Sequence, residues 1–448
     1  MKADLPHGYW NPEIELLPEG ELRKLQLKRI KEAIKLGWIQ SPFYRRLMTK
    51  HSITPDDIDT LEDFFKRFPL TRRDDLDRDQ LDHPPFGSRL ALAPETALRY
   101  HATSGTTGQP AVKAFDTERD WIWGANAWAS SLYNFGIRPA DIVMVAFGYG
   151  AFIGFWGAHY AFEKIGCRVH PTGGMDTKSR LQIILNLGIT TLCCTPSYAL
   201  RILQVAKEEA MDLARDSQLR KIVLAGEPGA SIPSTKAILE RGFDAHVGDF
   251  MGTTETAGII AFTCAKSCGR LHINEDRFMA EVVHPHTLAP VGYGERGMMV
   301  VTPLGKQAMP LIRYATNDIV ILDRREACSC GRVFDLLRGG ILGRYDDMVK
   351  VRGVQITPQM IEEIVRAFPE VAEFFTTVES RGGLDSLLIK VELANDLTPQ
   401  SSLEVLRKIK EQFKTHIGLT PEVEVVPSNS LPRFELKARR FKDLRSSP

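Results

Sequence analysis

Residues 100–110, YHATSGTTGQP, gather small hydroxyl side chains around two glycines: Thr103, Ser104, Thr106 and Thr107 surround Gly105 and Gly108. Glycine permits positive φ and close backbone approach, so N–H groups and hydroxyls can converge on phosphate oxygens. The Walker A pattern is missing, and no lysine follows Gly108. Further along, DFMGTTETAG places Glu255 behind hydroxyl residues at the end of a predicted strand. A carboxylate there suits Mg²⁺ beside a nucleotide, because Mg²⁺ takes one or two carboxylates together with phosphate oxygens. Asp318, in RYATNDI, lies between β-rich runs, where it can accept from ribose hydroxyls. Lys437, in LPRFELKARR, sets a cation in a basic segment near the C-terminus.

A second set of residues suits a metal. Cys328 and Cys330 form a tight C-x-C pair, and upstream lie Cys264, Cys268 and His272. Three thiolates and one imidazole make a closed, tetrahedral structural Zn²⁺ site. Either Cys264 or Cys268 can supply the third thiolate. Cys167, Cys193 and Cys194 sit in apolar runs and read as core residues.

These residues need a frame to hold them. The segment 21–36 has apolar residues at helical spacing, and 50–85 reads as short helices and turns. Beyond Arg99, β-like runs at 142–147, 168–171, 190–194, 221–224 and 245–249 alternate with helical stretches such as 178–187 and 234–241. That alternation predicts an α/β fold with a largely parallel sheet. After Glu281 the pattern turns β-rich, and GGILGRYDDMVKVRGVQI marks a boundary. The reading is a large N-terminal domain, residues 1–342, and a small α+β C-terminal domain, residues 343–448. The small domain is expected to carry helices at 358–367 and 402–416 and strands at 374–378, 386–392 and 422–426.

Composition limits the classes. Lys+Arg is 57 and Asp+Glu is 56, a net charge of +1, so nothing draws the chain globally to nucleic acid or anionic lipid. Seven cysteines in 448 residues are too sparse for a disulfide scaffold and point to a reducing, cytoplasmic setting. The N-terminus lacks the apolar run of a secretory signal. Residues 142–162 carry no Asp, Glu, Lys or Arg. Their glycines and His159 argue for a buried strand, a glycine and aromatic loop and a buried helix, not a membrane span.

In this order and spacing the motifs resemble the phenylacetate–CoA ligase family of the adenylate-forming superfamily. The resemblance extends over nearly the whole chain. It includes Tyr9–Trp10, FGYGAFIGFWGAHY, CCTPSYAL, AGEP at 225–228, LHINEDRF and DDMVKVRGVQITP. It implies an acid–CoA ligase working through an acyl-adenylate, with ATP, Mg²⁺ and coenzyme A, on an aryl or arylacetic acid. By position, Thr103 to Gly108 would clasp the ATP phosphates. Gly226, Glu227 and Pro228 would line the adenine pocket. Thr254 would touch phosphate, Glu255 would hold Mg²⁺, and Asp318 would bind ribose. Arg344 would reach the ribose or phosphate side, and Asp346 would be the hinge of the mobile C-terminal domain. Lys437 would bridge carboxylate and α-phosphate. Tyr149 and Phe152 are expected in the acid pocket. The family's zinc ligands fall on Cys264, His272, Cys328 and Cys330, with Cys268 as the alternative. A homodimer is a further family-level expectation.

The chain departs from the family pattern in three places. Ala315-Thr316-Asn317-Asp318 stands for Arg-Thr-Arg-Asp, Phe434-Glu435-Leu436-Lys437 for Ser-Glu-Gly-Lys, and Gly229 for an aromatic residue. Two other readings compete with the ligase: an adenylating enzyme that passes its acyl group to a carrier protein or an amine, and a nucleotide-binding module without turnover.

Overall fold

The computed structural model describes residues 6–103, 111–266, 268–381, 384–394, 397–434 and 438–445. A short antiparallel hairpin, β1 (Arg99–Ala102) and β2 (Lys113–Asp116), comes first. The large sheet then takes β3 (Ile142–Val145), β4 (Arg168–Pro171), β5 (Thr191–Cys194), β6 (Lys221–Ala225) and β7 (His246–Thr253). These five run parallel in the order β4-β3-β5-β6-β7. β5 and β6 are buried at every position, as expected of strands covered by helices on both faces. The alternation legible in the sequence is therefore the parallel half of this sheet.

The antiparallel half consists of β8 (Gly258–Phe262), β9 (Arg270–Ile273), β10 (Phe278–Val283), β11 (Arg296–Pro303), β12 (Tyr314–Asp323), β13 (Leu336–Arg338) and β14 (Gly343–Arg344). β7 was expected to stop near Asp249. It runs on to Thr253 and turns directly back into β8. Among the described residues, two apolar clusters make up most of the large lobe's core. One packs Phe135, Phe162 and Leu192 against the parallel strands, and the other packs Tyr44, Phe64 and Phe278 against the antiparallel ones.

The chain leaves the large sheet at Arg344, whose strand pairs with β12. After a two-stranded ribbon, β15 (Val349–Val351) and β16 (Val354–Ile356), it builds a smaller α+β lobe. There β17 (Val371–Arg381), β18 (Leu384–Leu393), β19 (Glu422–Val425) and β20 (Phe441–Asp443) form a sheet in the order β19-β18-β17-β20. The helices Pro358–Arg366 and Pro399–Ile417 bury Ile361, Val365, Ile409 and Phe413 against it. Both begin with proline at the first helical position behind a threonine whose hydroxyl accepts a backbone N–H, which stops and starts the helix at that point. Among the described residues no helix is long and apolar enough to cross a membrane.

Candidate active site

A cavity opens where the parallel half meets the turn from β7 to β8. Its lining joins three pieces: Ala225 and Gly226 at the end of β6, Gly252 to Thr254 at the end of β7, and an aromatic wall. Ligands of open α/β sheets gather at such carboxyl ends of strands. The wall comes from the helix Glu118–Phe135 through Trp121 and Trp128, from the helix Ile153–Ile165 through Phe155, and from Phe152 and Phe250. Trp121, Gly124, Ala125 and Trp128 share one helical face, a spacing present in the sequence but not read from it. Gly124 is required there. A Cβ would lie 2.4 Å from the Ala257 carbonyl oxygen, so any side chain would push the helix off the Thr-Thr-Glu-Thr turn.

The expected residues are distributed as follows. Thr103 closes the hairpin loop: its N–H donates to the Val112 carbonyl at 3.0 Å, and its hydroxyl accepts from the Val112 N–H at 3.0 Å. Ser104, Gly105, Thr106, Thr107 and Gly108 lie outside the described residues, as does Lys437. Thr254 lines the cavity, and Glu255 beside it is buried. Glu255 accepts from Arg73 Nη1 at 3.0 Å, a partner 182 residues away that no local pattern announces. Asp318 is buried on β12, and burial raises its carboxyl to about 6. Arg344 lies across from it on β14, 3.9 Å from its carboxylate, and reaches on to clamp both oxygens of Asp346 at 2.9 and 2.6 Å. Asn317, where the family pattern has arginine, sits at φ +64°, a left-handed conformation that asparagine tolerates well. Its carbonyl accepts from the Tyr345 N–H at 2.7 Å, which fastens the exit of the large sheet.

Three of the expected residues, Tyr149, Glu227 and Pro228, stand outside this lining. Phe152 lines the cavity but Tyr149 does not. The Tyr149 hydroxyl pairs with His159 Nδ1 at 2.9 Å, and its ring packs edge-on against Trp156. Gly226 lines the cavity, whereas the Glu227 side chain turns away from it. Its oxygens accept from the Ser197 N–H at 2.8 Å and the Ala438 N–H at 2.9 Å. Pro228 lies next in the same loop, outside the lining. The loop is anchored by Asp249, a residue the sequence did not single out. Its carboxylate accepts from the N–H groups of Gly229, Ala230 and Ser231 at 3.2, 2.7 and 2.6 Å.

The cysteine cluster forms away from the cavity. β9 pairs with β13 so that His272 lies opposite Leu336, bringing the Cys328–Cys330 turn to His272. One ligand atom from each of Cys264, His272, Cys328 and Cys330 falls within 4.8 Å of the others, and all four residues are buried. Cys264 and Cys328 sulfurs are 3.7 Å apart, and Cys330 Sγ is 3.2 Å from His272 Nε2. His272 Nδ1 lies 3.2 Å from the Phe334 carbonyl, a partner that only a protonated Nδ1 satisfies. That tautomer leaves the Nε2 lone pair facing the sulfurs, the usual outer-shell arrangement of a metal-binding histidine. The donor set and its orientation fit Zn²⁺. Cys268 is half-exposed and is not one of these four, although its thiol also meets those of Cys264 and Cys328.

Residues 64–310 match the AMP-binding enzyme family, and residues 353–445 match the AMP-binding enzyme C-terminal domain. A phenylacetate-coenzyme A ligase of Thermus thermophilus is 35% identical over 97% of this chain and 99% of its own length. Among solved structures, 2-hydroxyisobutyryl-CoA ligase in the postadenylation state is 30% identical and covers 98% of this chain and 92% of its own, with a TM-score of 0.92. The same relative in the thioesterification state, with 2-HIB-AMP and CoA, is 31% identical over 98% of this chain and 93% of its own, yet scores 0.74. The chain therefore belongs to the phenylacetate–coenzyme A ligase family of adenylate-forming enzymes.

Proposed function

We propose that the protein is an AMP-forming acid–CoA ligase that activates an aromatic carboxylic acid through an acyl-adenylate and then forms the CoA thioester. The observation that carries this reading is the continuity of the cavity, which runs from the Gly226 and Thr253–Thr254 backbone into a wall of Trp121, Trp128, Phe152, Phe155 and Phe250. An aryl ring meets such walls by offset or edge-on contacts. The nucleotide end has Asp318 to accept from ribose hydroxyls, Arg344 to face the ribose or phosphates, and Thr254 with the Thr103–Gly108 loop to meet phosphate oxygens.

Carboxylate attack on the α-phosphate brings two anions together. Mg²⁺ held by Glu255, when bound, offsets that repulsion. Arg73 Nη1, 3.0 Å from Oε1, holds the Glu255 carboxylate in place for the task. The Lys437 ammonium supplies the second positive charge, where charge develops in the transition state. The proposed units are an N-terminal adenylation domain, residues 1–342, and a mobile C-terminal domain, residues 343–448, that turns about Asp346. Its rotation withdraws Lys437 and admits the CoA thiol. Cys264, His272, Cys328 and Cys330 hold a structural Zn²⁺ with no open coordination position required by this chemistry.

The test is release of pyrophosphate and AMP from Mg-ATP, with and without CoA. The acids are benzoic, phenylacetic, indoleacetic, 2-hydroxyisobutyric and short aliphatic. CoA-dependent AMP release with an aryl acid is the expected outcome. A response to 2-hydroxyisobutyrate alone would overturn the aromatic assignment. Pyrophosphate exchange with no CoA-dependent turnover would move the acceptor to a carrier protein or an amine.

A further inference from the structure

Two residues from the family-like motifs, Glu227 of AGEP and Ser197 of CCTPSYAL, take no part in the cavity. Both face the end of the small lobe. Glu227 Oε1 accepts from the Ser197 N–H at 2.8 Å, and Oε2 accepts from the Ala438 N–H at 2.9 Å. The Ser197 hydroxyl accepts in turn from Arg440 Nη1 at 3.2 Å. Arg440 is gripped within its own lobe by Glu373, at 2.7 and 3.1 Å. One carboxylate thus joins the loop after β6, the first turn of the helix Pro196–Glu208 and the backbone amide that directly follows Lys437.

Hydrogen bonds to an ionised carboxylate are the stronger kind, and these two N–H donors oppose the upward push that burial gives the Glu227 carboxyl. The lobes stand as in the postadenylation relative, while the score against the thioesterification form falls as it would if only the large lobe superposed. A small lobe that turns must carry Ala438 and Arg440 away from Glu227 and Ser197. The contacts therefore belong to one arrangement only, and a contact made in one state alone shifts the equilibrium toward it.

We propose that Glu227 and Ser197 form a latch that holds the segment following Lys437 in the adenylation arrangement and releases it for thioester formation. This rests on the ligase reading and on the role given there to Lys437. Glu227 is a positioning residue, since it acts through the loop and touches no reacting atom.

The test separates the two half-reactions in Glu227→Gln and Ser197→Ala. A glutamine can accept only one of the two N–H groups and turns an NH₂ toward the other. Single-turnover pyrophosphate release without CoA is expected to slow about tenfold or more in Glu227→Gln. Ser197→Ala, which loses the hydroxyl's bonds to Arg440 and Glu227 but keeps both backbone N–H bonds to the carboxylate, slows it less. Thioester formation from preformed acyl-adenylate and CoA stays within about twofold of wild type, because the latch is open in that step. Hydrogen exchange of the Ala438 amide, read on the nucleotide-free full chain, becomes faster in Glu227→Gln. A parallel fall of both half-reactions, no change in either, or unaltered exchange at Ala438 would overturn the latch. If wild type itself released no pyrophosphate with any acid, the ligase reading would fail, and the exchange comparison would still judge the contact.

Discussion

Asp318, proposed to bind ribose, takes its pH dependence from burial. Burial on β12 raises its carboxyl from 3.8 to about 6, against the opposing pull of Arg344. The folded protein therefore binds a proton that the unfolded chain has already lost between these values. Stability from this group is fully present below about pH 4 and lost as pH rises through 6. Above that, ionised Asp318 costs the fold about 3 kcal/mol or less, following the size of the shift. Asp318→Asn is expected to melt higher than wild type at pH 7.5 and to lose that advantage near pH 4. The same carboxylate is the proposed ribose acceptor, so ATP affinity of wild type should weaken below pH 6, and the variant should bind ATP poorly at every pH. Calorimetry across pH 5–8 checks both; a variant that binds ATP as well as wild type would remove Asp318 from the site.

At the scale of elements, the β9–β13 pairing matters as much as the cysteines. It carries His272 to the Cys328–Cys330 turn, and that turn is also tied to the N-terminal segment. Glu15 pairs with buried Arg332 at 2.8 Å, and Arg332 donates to Asn134 Oδ1 at 2.8 Å. A metal here would staple two distant stretches of chain, residues 264–272 and 328–330. Protein purified without chelator is expected to hold one zinc per chain by elemental analysis. Cys264→Ser should lose the metal and several degrees of melting temperature, while Cys268→Ser should keep both. Metal retained by Cys264→Ser and lost by Cys268→Ser would exchange the two cysteines' roles. The Trp121 to Trp128 face belongs to the same scale. Its helical spacing stands in the sequence, but an aromatic stripe on a helix reads as core until the cavity beside it is seen.

The whole molecule is two lobes joined by a short crossing between Arg344 and Val349. Chemistry divided between lobes predicts a particular kinetic signature. Lys437→Ala should abolish adenylate formation and leave ATP binding nearly intact, because the nucleotide is proposed to rest on the large lobe. Thioester formation from supplied acyl-adenylate should survive. Rapid-quench assays of each half-reaction distinguish these; adenylation at an undiminished rate would refute the role given to Lys437. The Arg344 clamp on Asp346 lies at the crossing itself. It links Asp318, the proposed ribose acceptor, to the point about which the small lobe is proposed to turn.

By itself, the sequence determined the α/β class, the order of the parallel strands' segments and the small lobe's helices. It did so because these rest on local periodicity and on caps such as Thr357 and Thr398, which operate within a few residues. It also supplied the residue types proposed for the site, since glycine-rich loops and carboxylates carry their chemistry wherever they stand. Partners were decided only in three dimensions. Arg73 reaches Glu255 across 182 positions, and Ala438 reaches Glu227 across 211. Tyr149 and Glu227 were placed by motif, but packing turned their side chains to His159 and to Ser197 and Ala438. A side chain's direction depends on the buried donors and acceptors that surround it, and those come from remote segments that a local pattern does not contain.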